Sequence, residues 1–149
     1  MYSPKVAVLF GFGINCDHET AAVFELVGGH SERVHLNKFI NKEASLSDYD
    51  ILAVPGGFSF GDHLGSGRLM GNRMRFALRD ELRKFVEDGK PIIGICNGFQ
   101  VLCEAHLLPG ALTRNKDLHF LCRDQKLIIE NNATAWTSDY TKGQEILIP

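Results

Sequence analysis

No long apolar run, no basic cluster and no dense cysteine framework occur in this 149-residue chain, and each absence removes a class of function. A membrane-spanning helix needs about 20 consecutive apolar residues. The first apolar stretch, Val6 to Phe10, is far shorter and follows a short polar start, Met1 to Lys5, so neither a span nor a secretory signal is expected. The 16 Lys and Arg stand against 18 Asp and Glu, giving a formal net charge of −2, and the two signs alternate along the chain. Nucleic acid is therefore not an expected partner. The 4 cysteines, Cys16, Cys96, Cys103 and Cys122, lack the close regular spacing of a secreted disulfide scaffold. A reduced, cytoplasmic setting is the expectation.

Several ligand motifs are also missing. Gly11-Phe12-Gly13 begins like a dinucleotide fingerprint, but Cys16 replaces the third glycine and the second strand ends in Leu36-Asn37 without the ribose-binding acid. The glycines from Gly56 to Gly67 are not followed by the Lys-Ser/Thr pair of a phosphate-binding loop. Cys16-Asp17-His18 is too sparse for a zinc centre, which takes four ligands in close pairs, so no metal site is expected.

What is present is alternation. At about 100–200 residues per domain, the length fits one domain over 1–149. Val6 to Phe10 is continuously apolar between Pro4 and Gly11, as in a parallel strand covered on both faces. Asn15 or Asp17 can cap a helix through Ala21, Phe24, Leu26 and Val27, which Gly28-Gly29 stops. Arg33 to Leu36, Ile51 to Val54 and Pro91 to Ile95 read as further strands, the last buried from both sides. Met74, Ala77, Leu78, Leu82 and Phe85 give one long amphipathic helix. Another helix follows Gly98 with Val101, Leu102 and Ala105, and Leu118 to Leu121 and Lys126 to Ile129 read as short β-prone pieces. Such alternation predicts an open α/β parallel sheet with ligands at the carboxyl ends of the strands, in the loops Gly11 to Asp17, Pro55 to Gly67 and Cys96 to Gln100.

The most informative string is Gly94-Ile95-Cys96-Asn97-Gly98, placed after a strand and before a helix. Small residues two before and two after a nucleophile allow the sharp turn that lifts it clear of a sheet. The helix N-terminus there favours thiolate over thiol, so Cys96 is the candidate nucleophile over the plainer reading of a buried structural cysteine. Acyl transfer also needs donors for an oxyanion. The backbone N–H of Asn97 follows the nucleophile, and Gly57 in Pro55-Gly56-Gly57 supplies close-approaching backbone. On this reading Asn97 acts through its backbone, so Asn97→Ala is expected to be milder than Gly57→Val. A nucleophilic thiol also needs a base. Of the 6 histidines only His63, in a strand-end loop, is a weak internal candidate.

Asn15-Cys16-Asp17, the string Pro55-Gly56-Gly57-Phe58-Ser59-Phe60-Gly61-Asp62, Gly94-Ile95-Cys96-Asn97-Gly98-Phe99-Gln100 and Leu107-Leu108-Pro109-Gly110-Ala111-Leu112 occur in this order. Together they resemble the class I glutamine amidotransferases that serve as glutaminase subunits of phosphoribosylformylglycinamidine synthase, a resemblance running from Val6 to about Asn131. It implies a flavodoxin-like open parallel sheet with helices on both faces and hydrolysis of glutamine to glutamate through a thioester on Cys96. Gly57 and Asn97 would form the oxyanion hole, and Gln100, with Phe58 and Gly56, would hold glutamine. Ammonia would pass to a larger synthetase subunit, often with a small bridging subunit, that converts formylglycinamide ribonucleotide to the amidine in purine biosynthesis. ATP and magnesium are implied for that partner and no cofactor for this chain. Family members often have tyrosines where Phe60 and His63 stand here. The family completes its triad with a histidine and a glutamate two positions on, beyond the point matching Pro149, so the domain is expected to be C-terminally incomplete. The rivals are a catalytically inactive synthetase-interaction protein and a DJ-1/PfpI-type cysteine hydrolase.

Overall fold

Successive side chains of a strand face opposite sides, and the first strand, β1 (Lys5–Phe10), is apolar on both. Ala7 and Leu9 enter one core, and Val6 and Val8 enter another. β1 is therefore central. It pairs in parallel with β2 (His30–His35) on one side and β3 (Ile51–Val54) on the other, and β3 pairs in parallel with β4 (Ile92–Gly94). The order β2-β1-β3-β4 is that of a flavodoxin-like doubly wound sheet. This computed structural model describes residues 2–148.

Helices cover both faces, as expected. On one side α2 (Leu36–Ile40), α3 (Arg68–Ala77), α4 (Arg79–Glu87) and α5 (Asn97–Glu104) supply Phe39, Met70, Met74, Leu82, Phe85 and Val101. Full burial of side chains of this size contributes roughly 1.5–3 kcal/mol each. On the other side α1 (Asp17–Leu26) lays Ala21 and Phe24 over Val6, Val8 and Ala53.

The structure revises several element boundaries. The long helix expected through Met74 and Phe85 is two helices, broken at Leu78, whose φ of −115° and ψ of 18° leave the helical region. Asp80 and Glu81 then sit in the first turn of α4, where the helix dipole favours acids. Cys16 is the N-cap of α1, without a side-chain cap bond. Asp17 is instead buried, and its carboxylate accepts from Arg33 Nε at 2.6 Å, tying α1 to β2. β2 starts at His30 because all six of its residues pair with β1. β4 is half-buried where full burial was expected.

By contact the chain separates into two compact units, Met1–Leu112 and Thr113–Pro149. In the second, β5 (Gln125–Ile128) and β6 (Glu145–Ile148) form an antiparallel pair closed by Lys126–Glu145 at 2.9 Å. Leu118 to Leu121 forms no strand, since β propensity without a partner to pair with does not order a segment.

Candidate active site

The three strand-end loops meet at the carboxyl ends of β1, β3 and β4. Asn15 and Cys16 both donate their backbone N–H to Gly56 O, at 3.3 and 3.2 Å, and Phe58 N–H donates to Gly13 O at 2.8 Å. These bonds make Ile14 and Gly57 a non-hydrogen-bonded antiparallel pair. Gly57 N–H consequently has no acceptor among the described residues. A Cβ on Gly57, whose φ is +148°, would lie 2.6 Å from Gly13 O and 2.8 Å from Asn15 N, so only glycine lets the loops approach this closely.

Cys96 is the N-cap of α5 with φ 52° and ψ −112°, a left-handed conformation that costs a non-glycine residue roughly 1–3 kcal/mol. The turn is held by Ile95 N–H donating to Val54 O at 3.0 Å and Gly98 N–H donating to Ile95 O at 2.8 Å. Gly98 makes the sharp turn possible, because a Cβ there would sit 1.8 Å from Val54 O. Cys96 is thereby lifted into the exposed position that the spacing predicts for a nucleophile. Its thiol has no hydrogen-bond partner among the described residues, and Asn97 N–H likewise has no acceptor there.

Gly56 is buried against this turn: a Cβ on it would lie 3.5 Å from Cys96 Cβ and 3.6 Å from Cys16 Sγ. Phe58 is 66% exposed, and Gln100 is half-buried on the first turn of α5. His63 is exposed, its ring packed against Gly61, with no hydrogen bond to another described residue. Cys103, one side of α5 further on, is buried, and burial pushes its thiol up.

Sequence reasoning missed the side chain of Asn97. It is 1% exposed and fully engaged: Oδ1 accepts from Ser59 N–H at 2.9 Å, while Nδ2 donates to Asp62 Oδ1 at 3.2 Å and to Gln100 Oε1 at 3.0 Å. Asp62 Oδ1 also accepts from Gly67 N–H, the N-cap of α3, at 3.1 Å. Asn97 therefore contributes the bonds of its side chain as well as its backbone N–H. The signal available in the sequence was Asp62 itself, an acid closing the glycine-rich Pro55 to Asp62 string.

A parallel α/β sheet whose strand-end loops present a thiol at an elbow beside unpaired backbone donors is an arrangement suited to acyl transfer through a thioester. The chain belongs to the family of CobB/CobQ-like glutamine amidotransferase domains, whose model matches residues 3–148. Among curated relatives it is 47% identical over 148 residues to the phosphoribosylformylglycinamidine synthase subunit PurQ of Nocardia farcinica and 52% identical over 150 residues to that of Corynebacterium glutamicum. Each match covers 99% of this chain and 62% of the relative, so the chain spans about three fifths of their length. The solved PurLQS structure from Thermotoga maritima includes a chain similar to it with a TM-score of 0.82 and 38% identity, covering 99% of this chain and 66% of that one. The resemblance and the fold read from the sequence are thus borne out.

Proposed function

We propose that this chain is the glutaminase part of an ammonia-channelling synthetase. The Cys96 sulfur attacks the side-chain carbonyl carbon of glutamine, and the N–H groups of Gly57 and Asn97 receive the resulting oxyanion. Collapse of that intermediate breaks the C–N bond, ammonia leaves with a proton, and water then hydrolyses the thioester to glutamate. Gln100, Gly56 and Phe58 line the approach to the thiol and hold the substrate. The observation that carries this reading is the exposed, left-handed Cys96 at the head of α5, set against a loop whose Gly57 N–H is unpaired.

The sequence resemblance extends the reading to purine biosynthesis, with ammonia used by a larger synthetase subunit beside a small third one, and it is supported by relatives named as subunits of phosphoribosylformylglycinamidine synthase and by a solved structure called PurLQS. ATP and magnesium then belong to the synthetase, and this chain needs no cofactor of its own. Residues 1–149 act as one amidotransferase-like domain, supported by the family match over 3–148. Among the described residues no helix is long and apolar enough to cross a membrane, and a cytoplasmic location suits the proposed pathway.

The test is modification by a glutamine-analogue electrophile, which is expected at Cys96, the exposed thiol at the head of α5. Mass spectrometry placing the adduct on Cys16, Cys103 or Cys122 instead would remove Cys96 as the nucleophile. Turnover abolished by His63→Ala would make His63 the base.

A further inference from the structure

The loop after β3 is bent through three consecutive left-handed residues, Phe60, Gly61 and Asp62, with φ of 55°, 64° and 53°. Two of these are not glycine, so the bend needs support from outside the loop. Asp62 provides it. Its carboxylate accepts from Asn97 Nδ2 and from Gly67 N–H, linking the oxyanion loop, the start of α3 and the start of α5. Asn97 passes the link on. With Nδ2 committed to Asp62 and Gln100, its Oδ1 points at Ser59 N–H, two residues from Gly57. The same amide occupies Gln100 Oε1, leaving the Gln100 Nε2 donors free for a ligand oxygen. Both unpaired backbone donors of the site, on Gly57 and Asn97, thus lie on segments joined through the Asn97 carboxamide, which the Asp62 carboxylate orients.

We propose that Asp62 is a positioning residue for acyl transfer at Cys96: through the Asn97 carboxamide it sets the oxyanion loop against the nucleophile elbow and orients Gln100. This rests on the amidotransferase reading above. The Asn97 carboxamide and the Ser59 N–H are buried and the Asp62 carboxylate is half-buried, so breaking the link leaves a buried amide with its desolvation cost.

The test compares two reactions of the same thiol in the full 149-residue chain. Acylation by the p-nitrophenyl γ-ester of glutamate forms the Cys96 S–C bond, breaks the ester C–O bond and releases p-nitrophenolate, with the thiol proton going to solvent. It needs an oxyanion hole and a held substrate, but no acid for the leaving group. Alkylation by iodoacetamide displaces iodide directly and forms no oxyanion. Asp62→Ala is expected to slow acylation by roughly 10–100-fold, below the 10²–10³-fold of losing a donor outright, and to change alkylation by less than about twofold. Asp62→Asn, which keeps an acceptor for Asn97 Nδ2, should recover most of the acylation rate. Should Asp62→Ala not fold, Asn97→Asp faces the Asp62 carboxylate with an oxygen and should be slow, while the exchanged pair Asp62→Asn with Asn97→Asp restores donor to acceptor and should recover about tenfold. Wild-type acylation rates in Asp62→Ala, an equal fall in both reactions, or no recovery in the exchanged pair would overturn the proposal. A wild-type chain that alkylates but never acylates would instead overturn the amidotransferase reading, and the proposal with it.

Discussion

Ser59 and Asn97 show how two buried polar residues in one network carry opposite costs. Ser59 donates its N–H to Asn97, but its Oγ, buried at 1% exposure, has no partner among the described residues. A buried hydroxyl without a partner costs about 1–3 kcal/mol on protein scales. Ser59→Ala removes that group and keeps the backbone bond, so chemical denaturation should show stability unchanged or raised by up to about 1 kcal/mol. Asn97→Ala leaves the buried Ser59 N–H without its acceptor, while the half-buried Asp62 carboxylate keeps its bond from Gly67 N–H, and one buried orphan costs about 1–3 kcal/mol. It should therefore be destabilised by at least about 1 kcal/mol in the same measurement. Equal effects of the two changes would contradict the bond assignments around Asn97.

Among the elements, β1, β2 and β3 are joined at their leading ends by charges. Asp50, just before β3, accepts from Lys5 N–H at 2.7 Å, and that bond, with one from the Tyr2 hydroxyl, holds its carboxyl below the usual carboxylate range. Glu32 on β2 is lowered first by a hydrogen bond from the Tyr49 hydroxyl and then by Lys5, whose Nζ lies 3.3 Å away. Glu25 is lowered by the Ser31 N–H that it accepts at 2.6 Å, a bond joining α1 to β2. Folded carboxylates with depressed pKa values bind protons less readily than unfolded ones. Their stabilisation is complete above about pH 5 and is lost as pH falls through the lower folded values. Urea unfolding at about pH 7 and about pH 2.5 should show Asp50→Asn less stable than wild type at the higher pH. The gap should close at the lower pH, whereas a gap independent of pH would mean that the Asp50 charge contributes nothing.

Across the molecule, burial is concentrated in the first unit. The sheet cores of β1 and β3 hold Val6, Ala7, Val8, Ala53 and Val54 at full burial, while in Thr113–Pro149 Ile129 alone of the described residues is buried. Opening free energy follows buried apolar contact and protected backbone bonds. Native-state hydrogen exchange should therefore find the amides of β1 and β3 exchanging only near global unfolding, and those of β5 and β6 exchanging at least about tenfold faster. Uniform protection across both units would show cooperativity that these burial differences do not account for.

Val6 to Phe10 was legible as a strand covered on both faces because its apolar run is continuous, and Ile51 to Val54 as a strand; the same signal misled for Pro91 to Ile95, since β4 ends the sheet order and is half-buried. The Cys96 elbow was legible because the sharp turn requires glycine at fixed spacings, and the Gly98 Cβ position, 1.8 Å from Val54 O, is the steric reason. The break at Leu78 was not read, although the acids at 80 and 81 are a start signal, because the apolar spacing runs through it unchanged. Nor could any local pattern place Asp17 on Arg33, or Asp62 on Asn97, pairs separated by 16 and 35 residues. Periodicity and turn chemistry act between neighbours along the chain and so specify elements and their sharpest turns. A buried carboxylate's partner is chosen by whichever donor the packed sheet brings within reach, and that exists only once the loops have met.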